Sequence, residues 1–417
     1  RADRAKPGGQ PRLVHAVNKP AAIRERVGRY PVVALVLQGG GALGGYQCGV
    51  YEGLHEAGIR PNWFAGISIG AINAAILAGN PPEDRIQRLR DFWELIAEPA
   101  AGPLGPLAAA VRGTVAAFPE DPTLLSWARD MGAMGAMLAG QRGFFAPRMF
   151  SPFLFADGSP QATSFYDTAP LRDTLARFVD FDRINNDRNV RLTVGAAAIT
   201  SGNFRYFDSD REAIRVEHIL ASGALPPAFP AVEIDGEWYW DGGIVSNTPL
   251  EYVLGCRPDG DTLALQVDLF SARGERPRTM LDVLERTKDI RFSSRTRHGT
   301  RMVELEQQLR SALHELIDRL PEGQLPPHLA DVFAPYLDDR VFNVIHLIYQ
   351  KKSHEQQHKD YAFGRIPLRE HWQTGLEDMA MTLQHPEFFD LPDRSLGVAT
   401  HDVHRITNGS AADTPSP

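Results

Sequence analysis

The chain has 417 residues, 43% hydrophobic and 23% charged, ordinary values for a globular protein and enough length for one large domain or two. Its 52 acidic against 44 basic residues give a formal net charge of −8, which disfavours nucleic acid as a partner and broad electrostatic attraction to anionic membranes. Two cysteines, Cys48 and Cys256, lie in different motifs; they argue against a disulfide framework and fit a cytoplasmic protein.

Residues 1–30 carry eight basic side chains, Arg1 to Arg29, against Asp3 and Glu25, and read as a basic, flexible tail. The tail could touch a membrane surface peripherally, but it lacks the apolar core of a secretory signal. Val32 to Leu37 (VVALVL) is an unbroken apolar run, half of it β-branched, the signature of a buried parallel strand. Gln38-Gly39-Gly40-Gly41-Ala42-Leu43-Gly44-Gly45 follows, then a helical pattern from Tyr46 to Ala57. Three successive glycines leave backbone N–H groups free to face a ligand, as an oxyanion hole requires. The same letters spell Gly39-x-Gly41-x-x-Gly44, a dinucleotide fingerprint in form. That reading needs an acidic residue about 20 residues on, at the end of the next strand. The next strand, Asn62 to Ile67, ends instead in Gly66-Ile67-Ser68-Ile69-Gly70, followed by a helix over Ala71 to Ala78. A Gly-x-Ser-x-Gly between strand and helix is a nucleophile elbow, with Ser68 at a helix N-terminus where negative charge is favoured.

Residues 99–165 form an apolar, methionine-rich insertion, a candidate lid over the site; Pro103, Gly105 and Pro106 interrupt its most apolar stretch, so a spanning helix is not expected. Val190 to Thr200 and Phe204 to Ser209 read as a hairpin. A second hairpin is predicted around Asp235-Gly236, its outgoing strand delivering Asp241 into Gly242-Gly243-Ile244-Val245-Ser246-Asn247-Thr248-Pro249. Thr262 to Phe270 is another buried strand. Long helices follow over Met280 to Arg291 and Thr300 to Leu320, then a Pro-containing connection over Leu325 to Tyr336 and a strand over Val341 to Tyr349.

Ser353 to Lys359 contains His354-Glu355-x-x-His358, in form the zinc-peptidase signature, with Glu377 at a plausible distance for a third ligand. Its polar surroundings, Lys351, Lys352, Ser353, Gln356, Gln357, Lys359 and Asp360, are those of a solvated face, and the match reads as coincidence. No metal or cofactor is expected. Histidines after Asp241, among them His298, His314, His328, His346 and His371, leave a Ser-Asp-His triad open on order alone.

The glycine loop, the Ser68 elbow and the Asp241-Gly242-Gly243 strand end together resemble the patatin-like phospholipases, over roughly Pro31 to Phe270. The segment Ala221 to Pro230 resembles the family's approach to its aspartate. The resemblance implies a three-layer α/β/α fold with a mostly parallel central sheet, and a lipid acyl hydrolase working through an acyl-serine intermediate. It implies a Ser68–Asp241 dyad without histidine, an oxyanion loop of Gly39, Gly40 and Gly41, elbow glycines Gly66 and Gly70, supporting glycines Gly242 and Gly243, and a lipid or other acyl ester as substrate. The family's usual cation two residues after the third glycine is Leu43 here. The C-terminal region, with Lys359-Asp360-Tyr361 and His371-Trp372, resembles the extension of a bacterial subgroup. The expected domains are the tail 1–30, a catalytic domain 31–275, a mainly helical extension 276–390 and a disordered end 391–417. An esterase for short or polymeric hydroxyacyl esters is the alternative within the same chemistry; a zinc peptidase and a lipid-binding scaffold are the alternatives outside it.

Overall fold

The computed structural model describes residues 19–98, 135, 138–256, 260–293, 296–321, 326–333, 336, 340–350 and 360–404. Helix α1 (Lys19–Val27) leads into β1 (Val32–Leu37), the glycine loop and α2 (Gly44–Glu56). Then come β2 (Trp63–Gly66), α3 (Ile69–Ala78) and α4 (Arg85–Ile96). The short strands β3 (Ala146–Pro147) and β4 (Tyr166–Asp167) pair with each other and precede α5 (Ala169–Phe178) and α6 (Phe181–Asn186). The chain continues through β5 (Arg191–Ala198), β6 (Phe204–Asp208), α7 (Val216–Ser222), β7 (Val232–Ile234), β8 (Glu237–Asp241), α8 (Leu250–Gly255) and β9 (Thr262–Asp268). The C-terminal part holds α9 (Met280–Phe292), α10 (Thr296–Asp318), α11 (Pro327–Phe333), β10 (Phe342–Ile348), α12 (Arg365–Thr382) and β11 (Val398–Asp402).

Nine strands form one sheet, in the order β11-β10-β9-β1-β2-β5-β8-β7, with β6 paired to β5. The pairings from β11 to β5 are parallel; β6, β7 and β8 add the antiparallel ones. Strand side chains alternate between faces, and β1 shows how both faces are covered. Val33, Leu35 and Leu37 join a core that includes residues of α2, α3, α4 and α12, whereas Ala34 and Val36 join one with Trp63, Leu250, Val253 and Val344. Burial on both sides is why VVALVL is apolar throughout. The expected three-layer arrangement is therefore present.

The two predicted hairpins form. At the β7–β8 turn, Asp235 and Gly236 have φ of 51° and 86°, the left-handed pair that a two-residue turn requires. Helix α9 begins with a capping box: Thr279 Oγ1 accepts the Asp282 N–H at 3.1 Å and the Asp282 carboxylate accepts the Thr279 N–H at 2.8 Å.

Three expectations change. Residues 19–30, read as part of the flexible tail, are ordered: α1 buries Ile23 and Val27, Arg26 pairs with Asp390 at 2.7 Å, and Tyr30 donates to the Asp390 carbonyl at 2.7 Å. The basic residues masked a short amphipathic face whose partner lies some 360 residues away. Residues 391–404, read as part of the disordered end, include β11, an edge strand that pairs with β10 while His401 stacks on Phe388. An edge strand need not be apolar, so its sequence gave little sign of it. Within the connection Leu325 to Tyr336, Pro327 starts the seven-residue helix α11, a position where its missing N–H costs nothing. Residues 1–18, 405–417 and most of 99–137 lie outside the described residues, as do His354 and His358.

The extension is mainly helical, but its strand β10, with β11 beyond it, continues the central sheet, and α12 packs along α2, where Tyr46 donates to Asp378 at 2.7 Å. It is thus joined to the fold through the same helix that the glycine loop opens.

Candidate active site

Ser68 stands between β2 and α3 with φ 54° and ψ −123°, a conformation rarely adopted by a residue with a side chain. The turn is tight enough to demand its flanking glycines. A Cβ on Gly66 would strike the Gly70 backbone, and one on Gly70 would strike the Leu37 and Gln38 carbonyls at the end of β1. The Ser68 carbonyl accepts the N–H groups of Ala71 and Ile72 at 2.9 and 3.2 Å, so the helix starts directly behind it. Its own N–H donates to Ser222 Oγ at 3.0 Å, and that hydroxyl donates to the Gly195 carbonyl at 2.7 Å.

The glycine loop is anchored at its root by Gln38. That buried side chain accepts the N–H groups of Leu269 and Phe270 at 2.6 and 2.9 Å and donates to Thr248 Oγ1 at 3.0 Å. The Gly39 N–H donates to the Asn247 carbonyl at 3.3 Å, and the Ala42 N–H to the Asp360 carbonyl at 2.9 Å. Between them, Gly40 and Gly41 have N–H groups without a hydrogen-bond partner among the described residues. Gly41 has φ +56°, which turns the loop into the short helix over Gly41–Leu43. Leu43 is fully buried in the core.

Asp241 ends β8 and is 1% exposed. Its main-chain N–H donates to the Ala224 carbonyl at 3.0 Å and its carboxylate accepts the Gly243 N–H at 2.7 Å. Burial pushes the carboxyl up to about 7, while hydrogen bonding from the Ser68 side chain and the Gly243 N–H pulls it back toward the ionised form. Gly242 closes the turn, its carbonyl accepting Val245 and Ser246 N–H groups at 3.0 Å.

Gly39, Gly40, Gly41, Ser68, Asp241 and Gly243 all line one cleft of about 90 Å³. Its other walls are mostly apolar: Ile69, Ile72, Phe144, Phe145, Leu225, Phe229, Phe270, Phe292 and Phe363. Phe145 and Phe229 approach to 5.3 Å between ring centroids, and Phe144 and Phe363 to 5.6 Å. No described residue lining the cleft is a histidine. Among the described residues, no group of three or more His, Cys, Asp or Glu could hold a metal ion, and no helix is long and apolar enough to cross a membrane. Cys48 is buried, its thiol 3.5 Å from the Gly44 carbonyl and pushed well up by burial, a packed thiol beside the loop.

All three predicted motifs thus meet at one place. The sequence reading missed Ser222 and Asn247, although both lie inside segments it singled out, and gave no role to Asp360, whose only link to the loop is tertiary.

A family model described as patatin-like phospholipase matches residues 35–254, more than half of the 417-residue chain. The chain belongs to the patatin-like phospholipase family. A second model, described as patatin phospholipase, matches residues 290–395 of this patatin-like protein, so the extension too is a family feature. Neither the zinc-peptidase nor the short-ester alternative gains support from these matches. No curated protein matches by sequence. Among solved structures, VipD from Legionella pneumophila is similar at 15% identity with a TM-score of 0.33, over 85% of this chain and 66% of that one, a likeness too loose to bear on function.

Proposed function

We propose that the protein hydrolyses carboxylic esters of lipids through an acyl-Ser68 intermediate, with Asp241 as the sole general base. The observation that carries this reading is the meeting of a strained, partly exposed Ser68 with a buried carboxyl held near neutrality by burial. A base is most effective when its pKa lies near the working pH. An ordinary aspartate, about three units lower, would be a far weaker one.

Ser68 Oγ attacks the ester carbonyl carbon as its proton passes to Asp241. The oxyanion that forms is held by the Gly40 and Gly41 N–H groups, each donor of this kind contributing about 10²–10³ in rate. Collapse breaks the carbon–oxygen bond to the alcohol, which leaves with the proton from Asp241. Water then attacks the acyl-Ser68 carbonyl, giving its proton to Asp241, and the second collapse releases the carboxylic acid and returns the proton to Ser68. The phenylalanine-rich walls suit an acyl chain, and Phe144 and Phe145 come from the insertion read as a candidate lid. Beyond them Met149, Phe150, Phe153 and Leu154 are exposed, side chains suited to contact with a lipid aggregate.

The experiment is hydrolysis of a p-nitrophenyl ester series by wild type and Ser68→Ala. The reading requires turnover that Ser68→Ala abolishes without loss of fold. Near wild-type turnover in a folded Ser68→Ala protein would remove Ser68 from the mechanism.

A further inference from the structure

The glycine loop hangs between two attachments, and one helix of the C-terminal extension braces both. At the first, Asn247 holds Gly39, and the Asn247 amide also donates to the carbonyl of Phe292, the last residue of α9, at 2.8 Å. At the second, the Ala42 N–H donates to the Asp360 carbonyl at 2.9 Å, and the Asp360 carboxylate forms an ion pair with Lys288, one turn earlier on α9. The Lys288 ammonium also sits 5.7 Å from the ring centroid of Tyr361, which, like Asp360, lines the cleft. The two N–H groups left without a partner, those of Gly40 and Gly41, lie between these attachments. Their direction therefore depends on where the Asp360 carbonyl stands.

We propose that Lys288 is a positioning residue for the oxyanion loop: its ion pair with Asp360 fixes the carbonyl that holds Ala42 and so aims the Gly40 and Gly41 N–H groups. The inference rests on the reading of Ser68 and the glycine loop given above, and it assigns the extension a part in the active site. The ion pair is suited to this task. Its side chains are only 22% and 14% exposed, so salt and water screen it less than a surface pair. Lys288 does not line the cleft; its effect passes through Asp360 and Ala42. An oxyanion donor matters more to the transition state than to the bound ester, so misaiming it lowers kcat and leaves KM nearly unchanged.

The test is steady-state hydrolysis of p-nitrophenyl butyrate by wild type, Ser68→Ala, Lys288→Met, Lys288→Arg, Asp360→Asn and the Lys288→Met/Asp360→Asn double variant, with melting curves for each. Lys288→Met is expected to lose at least about tenfold in kcat with KM within about twofold of wild type. Lys288→Arg should recover most of that loss, and the double variant should be no worse than the poorer single one, because both changes remove one interaction. Full kcat in a folded Lys288→Met protein overturns the proposal, as do losses that multiply in the double variant. Should Lys288→Met fold poorly, Asp360→Asn and Lys288→Arg decide the question: the proposal requires a kcat loss in the first and near wild-type kcat in the second. Activity in Ser68→Ala would instead sink the underlying mechanism, so the two failures are distinct.

Discussion

Asn247 grips Gly39 from both sides, its main-chain carbonyl accepting the Gly39 N–H at 3.3 Å and its side-chain amide donating to the Gly39 carbonyl at 3.0 Å. The grip ties the loop after Asp241 to the loop beside Ser68, so the three motifs are held as one unit.

Asn247→Ala removes the side-chain half of this grip and strips the Gly39 and Phe292 carbonyls of the amide at a site only 8% exposed. A buried group left unsatisfied costs about 1–3 kcal/mol, so a loss of about 2 kcal/mol in stability is expected by denaturant unfolding. Ester hydrolysis should fall with it, mainly in kcat, because Gly40 follows directly. A variant as stable and active as wild type would show that the amide plays no part in holding the loop.

The raised carboxyl of Asp241 makes two pH-dependent statements with different signs. The proposed general base acts as the anion, so kcat/KM should rise with pH through about 7 and level off above it. Stability runs the other way. The folded value of about 7 exceeds the usual 3.8, so the contribution of this group is fully present below the unfolded value and is lost as pH rises through the folded one. Asp241→Asn, which titrates nowhere in this range, should therefore gain in melting temperature over wild type as pH goes from 4 to 8, by the equivalent of a few kcal/mol at most. A constant difference between the two proteins across that range would contradict a raised Asp241.

The backbone of Ser68 offers a separate check on the elbow. Its conformation costs a residue with a Cβ about 1–3 kcal/mol, more than the roughly 0.5–1 kcal/mol that glycine loses through its freer unfolded chain. Ser68→Gly should thus melt higher than Ser68→Ala, by about 1 kcal/mol in stability, with both inactive. Equal or reversed stabilities would mean that the elbow carries no such strain.

Those motifs were legible because their signals are local. An apolar run, a triplet of glycines, a Gly-x-Ser-x-Gly and an Asp-Gly turn each occupy a few adjacent residues, and their order gave the parallel core and the cleft. The order found at α1 and β11 was not legible, since the face of Ile23 and Val27 and the edge position of Val398 have meaning only against Asp390 and Phe342. The same holds for the loop's supports. Ser222 and Asn247 are ordinary polar letters until Ser68 and Gly39 are beside them. Asp360 followed a histidine motif that drew attention to zinc chemistry, and no pattern in the sequence ties its carbonyl to Ala42.

The central claim is that Ser68 is a nucleophile activated by Asp241 alone. The most direct measurement is covalent titration with a fluorophosphonate, followed by intact mass and peptide mapping, in wild type, Asp241→Asn and the His298→Gln, His346→Gln and His371→Gln variants, with and without EDTA. The account predicts one adduct per chain, at Ser68, formed at unchanged rate with EDTA and in each histidine variant, and slowed by about 10²-fold or more in Asp241→Asn. Labelling at another serine, or a histidine variant as slow as Asp241→Asn, would contradict it.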